Sequence, residues 1–181
     1  MTARYSLGEI PALHGRKVFF DANILVYLFW PSGSYHYEIQ YATAFNRLME
    51  QDNTLVVDFL VISELINRAF RLEYEKYLRM FNRRKEDLPF KHFRDSPKGH
   101  ETEDDIYLIV KDSLLPRFQI AGKAFSKAEI ENFLSRNSMD FNDKAIVLTC
   151  KEHDYILLTN DRDFAAADIE ILSAHTALLD R

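Results

Sequence analysis

Lys17-Val18-Phe19-Phe20-Asp21-Ala22-Asn23 carries the architecture of this chain in miniature. Val18, Phe19 and Phe20 form an apolar run with no polar alternation, the pattern of a strand buried on both faces of a parallel sheet. The run closes on an acid. Three further acids recur in comparable places. Glu64 follows Leu55-Val56-Val57 and a short connection ending in Ser63. Asp143 opens the apolar-periodic segment from Ala145 to Cys150, and Asp161 ends Tyr155-Ile156-Leu157-Leu158-Thr159-Asn160. In an open parallel α/β sheet the C-terminal strand ends share one rim, and ligands bind there. Four acids on one rim repel one another and resist ionisation unless a cation neutralises them. Hard oxygen donors unsupported by a His or Cys set select Mg²⁺ or Mn²⁺.

Outward from these strings, strands alternate with helices. Strands are expected at 17–21, 55–58, 155–159 and 169–172, with a short one at 117–120. Helices are expected at 35–50, at 63–83 and from Asp104 to Leu115, ended by Pro116. Asn23 to Phe29 reads as a helical turn broken by Pro31-Ser32-Gly33. Ser126-Lys127-Ala128-Glu129 is a capping box that opens a helix to about Ser135, and Asp140 or Phe141 opens the next, through Glu152. Residues 1–15 read as an arm. Residues 84–103, polar and punctuated by Pro89, Pro97 and Gly99, read as a loop or insertion. The alternation predicts an α/β fold, a three-layer α/β/α sandwich around a mainly parallel sheet.

The chain's 181 residues suit one domain with a sizeable core, and 47% hydrophobic residues argue against disorder. The single cysteine, Cys150, cannot form an internal disulfide and is expected to pack as a small hydrophobe. No signal-like run opens the sequence and no stretch could span a bilayer, so a cytoplasmic protein with no membrane partner is expected. The net charge of −5 conceals a split: residues 67–98 carry ten Lys/Arg against five acids, a surplus of +5 that leaves −10 elsewhere. Such asymmetry suits a phosphate-binding flank beside an acidic site, and equally a solvated helix of mixed charge. Phe70, Tyr74, Tyr77 and Phe81 fall at the spacing of a packed helix face. Phe90 and Phe93, in the expected loop, are the candidates for stacking on unpaired bases.

Asp21-Ala22-Asn23, Ser63-Glu64, Asp140-Phe141-Asn142-Asp143-Lys144-Ala145-Ile146 and Thr159-Asn160-Asp161-Arg162-Asp163-Phe164 together resemble the PIN domain, the metal-dependent nuclease fold that includes the VapC toxins. The resemblance spans roughly 18–172 and rests on the order of the strings and the elements that carry them. The chain is longer than a compact VapC toxin between Glu64 and Asp143. The resemblance implies one PIN-like domain over 1–181, with a basic helix and loop region inserted around 72–103. It implies an endoribonuclease that hydrolyses RNA, with Asp21, Glu64, Asp143 and Asp161 as metal ligands and catalytic acids. It also implies a toxin role, an antitoxin that covers the cleft, and a homodimer. The chemistry agrees with the residues: two divalent ions about 4 Å apart activate water and stabilise both the pentacoordinate phosphate and the leaving oxygen.

Each secondary candidate has two readings. Asn23 orients Asp21 or caps the following helix. Ser63 supports the site or N-caps the helix holding Glu64. Asp140, three residues before Asp143, is an extra metal ligand or a helix N-terminal acid. Thr159 and Asn160 bind phosphate or water, or close a turn. Asp163 is a further ligand, stands behind Asp161, or caps the segment from Phe164. Two competing functions remain open at this level. A haloacid-dehalogenase-type phosphatase would use Asp21 as nucleophile, although that motif wants a second Asp where Asn23 stands. A PIN fold could also bind RNA or a partner without cutting.

Overall fold

The computed structural model describes residues 2–136 and 138–179. Six strands form one all-parallel sheet in the order β1-β6-β5-β2-β3-β4. They are β1 (Arg4–Ser6), β2 (Lys17–Phe20), β3 (Thr54–Asp58), β4 (Gln119–Ala121), β5 (Ile156–Leu158) and β6 (Ile171–Ser173). Val18, Phe19, Phe20, Ile156, Leu157 and Leu158 are all fully buried, which is why these runs show no alternation. From β2 the chain steps out to β3 and β4, then returns past β2 to β5 and β6. Right-handed crossovers in opposite directions place their helices on opposite faces of the sheet. The strand order therefore reverses between β2 and β5, the crevice where a parallel sheet takes a ligand.

The helices are α1 (Ala22–Phe29), α2 (Tyr35–Glu50), α3 (Phe59–Met80), α4 (Phe90–Arg94), α5 (Pro97–Ile109), α6 (Lys127–Phe133), α7 (Phe141–His153) and α8 (Thr176–Leu179). The capping box at Ser126 forms as expected, with Ser126 N donating to Glu129 Oε2 at 2.6 Å. In α2 the buried stripe is Tyr41, Ala44, Phe45 and Leu48, while Ile39 faces solvent. Cys150 is a buried free thiol, and burial pushes its pKa up, so it packs as a hydrophobe. No helix among the described residues is long and apolar enough to cross a membrane.

Four expectations are corrected. The N-terminal arm is structured: Arg4, Tyr5 and Ser6 pair with Ile171, Leu172 and Ser173, and a 3-10 helix follows at Leu7–Ala12. The Arg4 guanidinium holds the carbonyls of Ile169 (3.1 Å) and Ala167 (2.6 Å), anchoring this edge strand. Second, α3 begins at Phe59 and ends at Met80. Asp58 caps it, accepting from Val61 N at 2.8 Å, which leaves Ser63 inside the second turn. Third, the expected 84–103 loop contains α4 and most of α5. Pro97 sits at the start of α5, where its missing N–H costs nothing, and Ser96 caps Gly99 N at 3.1 Å. The helix starts seven residues before the expected Asp104 and closes in a π turn at Val110–Leu114. Fourth, Phe93 is not a stacking residue: it is 1% exposed. Phe90 meets Phe70 and Tyr74 edge to face at 5.7 and 5.3 Å.

These rings join Trp30, Ala69, Leu78 and Ile106 in a second apolar cluster beside the sheet core. Where α5 crosses the end of α4, a Cβ on Gly99 would run into the backbone carbonyls of Phe93 and Arg94. Gly99→Ala is therefore expected to cost about 1–3 kcal/mol. Urea unfolding measures this, and an unchanged midpoint would refute the close approach.

Candidate active site

Asp21 is built into the β2–β5 crevice. Its backbone N donates to Leu158 O at 3.0 Å, extending the ladder by one residue. Its carboxylate then turns the chain into α1: Oδ1 accepts from Ala22 N at 2.7 Å. Oδ2 accepts from Asn23 Nδ2 and from Thr159 Oγ1, both at 2.6 Å. Each carboxylate oxygen has two lone pairs. Oδ2 is thus filled by two donors, while Oδ1, with one, has a lone pair left for an ion or a water. Asp21 is 6% exposed, and its pKa is pushed up to about 7. Burial is the main cause. The charges of Glu64 and Asp143 add to it, and the Thr159 and Ala22 hydrogen bonds oppose it.

Thr159 is fully buried, and its hydroxyl also accepts from Asp161 N at 3.0 Å. Asn160 N donates to Asn23 Oδ1 at 3.3 Å, so the strings after β2 and β5 lock together through side chains. Asn160 Oδ1 accepts from the hydroxyl of buried Tyr41 at 2.9 Å, and that oxygen accepts from Ala174 N at 3.1 Å. Asp161 caps the 3-10 helix Arg162–Ala166, accepting from Asp163 N at 3.0 Å. Asp163 is thus the capped residue and not the cap, and it is exposed.

Asp140 and Asp143 form a reciprocal capping box at the start of α7. Asp143 N donates to Asp140 Oδ1 at 2.8 Å, and Asp140 N donates to Asp143 Oδ2 at 3.3 Å. Asp143 has its pKa pushed up to about 6, first by burial and then by the charge of Asp140; the Asp140 hydrogen bond opposes this, and Asp161 and Asp163 add to it. Asp140 itself is exposed. Glu64, in the second turn of α3, is partly exposed and pairs with Arg68 at 3.3 Å.

The structure thus brings Asp21 within electrostatic reach of Glu64 and Asp143, and Asp143 within reach of Asp161 and Asp163. Among the described residues, no three His, Cys, Asp or Glu side chains converge as a ready-made metal cage. Asn23 lies inside α1 and orients Asp21, which is itself the cap. Ser63 contacts the site through no recorded side-chain bond; its carbonyl accepts from Asn67 Nδ2 at 2.9 Å. Sequence reasoning passed over Tyr41, Arg68 and Asp58. Asp58 ends an apolar run as Asp21 does, which was the available signal; burial raises its pKa and it serves as the α3 cap.

A family model described as PIN domain matches residues 18–170. The chain belongs to the PIN domain family. PIN domains are generally nucleases. Two solved structures are similar to this PIN chain. One is VapBC2 from Rickettsia felis bound to a DNA fragment from their promoter, at 18% identity and a TM-score of 0.46. The other is FitAcB from Neisseria gonorrhoeae, at 16% identity and a TM-score of 0.47. Each alignment covers 86% of this chain and 96% of the other. None of the curated proteins matches.

Proposed function

We propose that this PIN domain is a Mg²⁺- or Mn²⁺-dependent endoribonuclease whose acids Asp21, Glu64, Asp143 and Asp161 hold the metal, directly or through water. One observation carries the reading: a buried carboxylate, Asp21, is held rigidly by three donors and pressed towards neutrality by burial and by two neighbouring acids. A fold tolerates such a group when function requires it. The donor set is all oxygen, which fits a hard ion. An open cluster in place of a closed cage also fits, because Mg²⁺ keeps several waters and takes only one or two carboxylates. When bound, the ions would supply an activated water and stabilise charge on the phosphate.

The chain's own residues do the positioning. Thr159 and Asn23 fix the Asp21 rotamer, and Tyr41 fixes Asn160, which in turn fixes Asn23. Asp140 holds Asp143 at the head of α7. Asp140 and Asp163, both at the edge of this cluster, are the residues able to extend the ligand set. The phosphatase reading is disfavoured by Asn23, whose amide occupies the Asp21 oxygen beside Thr159.

The cellular setting that accompanies this reading is a cytoplasmic toxin–antitoxin pair. The antitoxin would present an Arg or Lys to the acids, and the toxin would act as a homodimer. A gel assay with single-stranded RNA tests the chemistry. Cleavage is expected with Mg²⁺ or Mn²⁺, abolition with EDTA, and recovery on adding the metal back. RNA left intact in both metals, or cut equally well in EDTA, would overturn the reading. Growth arrest on expression, relieved by a small neighbouring gene, tests the toxin role.

A further inference from the structure

Beside the acidic cluster a groove of about 340 Å³ opens between α1 and α3. Asn23 and Tyr27 of α1 line one side, Arg68 and Arg71 of α3 the other, and Ser32 and Ser34 close it. Asn23 belongs both to this groove and to the Asp21 network, so the two are continuous. Along α3, Glu64, Arg68 and Arg71 follow at steps of four and three residues, which keeps them on one face. At 1.5 Å per residue, Arg68 lies about 6 Å and Arg71 about 10 Å along the helix from Glu64. The stripe therefore begins at an acid of the candidate active site and continues as positive charge.

The charge state of these arginines singles them out. Of the ten cations in 67–98, six are ion-paired: Arg68, Lys76, Arg84, Lys85, Arg94 and Lys98. Among the described residues no ion pair forms at Arg71. Its guanidinium instead lies over the Phe90 ring, 4.7 Å from the centroid, which holds it in place without neutralising it. Arg68 pairs with Glu64 at a solvent-exposed position, and such a pair yields to a competing anion at little cost. Glu75, the acid that also lines the groove, is engaged by Lys85 at 3.7 Å.

We infer that this groove is a subsite for the backbone of single-stranded RNA, with Arg68 and Arg71 as positioning residues for phosphates next to the scissile one. The inference rests on the ribonuclease reading and names where the substrate strand runs. A planar guanidinium suits a phosphate, and a strand laid along the stripe delivers its next phosphate to the acids.

Fluorescence anisotropy with a labelled ten-nucleotide uridine oligomer in EDTA tests it without any turnover. Arg71→Ala is expected to weaken binding about tenfold and to flatten the slope of log affinity against log salt by about 0.7. Arg71→Lys should restore most of both. Lys111→Ala, in the exposed turn before β4, should change neither. With metal present, Arg71→Ala should raise KM for RNA more than it lowers kcat. Wild-type affinity and salt slope in Arg71→Ala would overturn the inference. So would equal loss in Lys111→Ala, or competition by polyglutamate as strong as by RNA. Failure of the wild type to cut RNA with any divalent ion would sink the nuclease reading alone, because the binding contrast is measured without catalysis.

Discussion

Asp143→Asn should lower RNA cleavage by more than about 100-fold, since losing even an outer support of a metal ligand costs 10–100-fold. It should do so without unfolding the chain. The Asn side chain keeps an oxygen able to accept from Asp140 N, so the α7 capping box survives in part. It also removes one of the charges that crowd Asp140, Asp161 and Asp163. Activity and metal-free stability should therefore move in opposite directions, a combination that misfolding cannot mimic. Asp140→Asn, at an exposed position, should cost far less activity. A cleavage rate within about twofold of wild type for Asp143→Asn would remove Asp143 from the ligand set.

The second large effect is a fall in metal-free stability as pH rises. Asp21 has a folded pKa of about 7 against a reference of 3.8. Between those values the folded chain binds more protons than the unfolded one, so unfolding free energy decreases with pH. The stabilising contribution of protonated Asp21 is complete below about pH 4 and is lost as pH passes about 7. Asp143, at about 6, and Asp58, also raised, act with the same sign. Glu9 and Glu129 have lowered pKa values, so their opposite contribution is complete below about pH 5 and does not interfere.

From pH 5 to 7.5 in EDTA, Asp21 alone should cost on the order of 2–3 kcal/mol. Asp21→Asn should remove that part of the slope, and other titrating groups cancel in the comparison. Saturating Mg²⁺ should raise wild-type stability most at the alkaline end, where protons no longer compete for the carboxylates. Parallel pH profiles for wild type and Asp21→Asn would show that the Asp21 carboxyl is not under the stress assigned to it.

Most of the scaffold could be read from the chain because its central strands are strongly apolar and its helices are well punctuated. Tyr35–Glu50 forms at its expected bounds, and the Ser126 box and the Asp140 start do as well. The failures share a cause: tertiary contact replaced the local signal. β1 has only three residues and no apolar run, and it exists because β6 offers it a ladder and Ala167 and Ile169 hold Arg4. The 84–103 segment looked like a loop because it is polar and contains Pro, yet Pro97 starts a helix and Phe93 fills a pocket made by Phe70 and Tyr74. At the site, the four acids could be read from their position after apolar runs. Tyr41 and Arg68 could not, since their roles depend on which distant groups the fold sets beside them.

The bond from Thr159 to Asp21 joins residues 138 positions apart. A ribosome therefore finishes nearly nine-tenths of the polypeptide before the groups that seat Asp21 can meet. Any nascent or prematurely terminated product lacking β5 carries its acids dispersed and is harmless to the very messages being translated. For an enzyme that attacks RNA, catalytic competence deferred to the last stage of synthesis protects its own production.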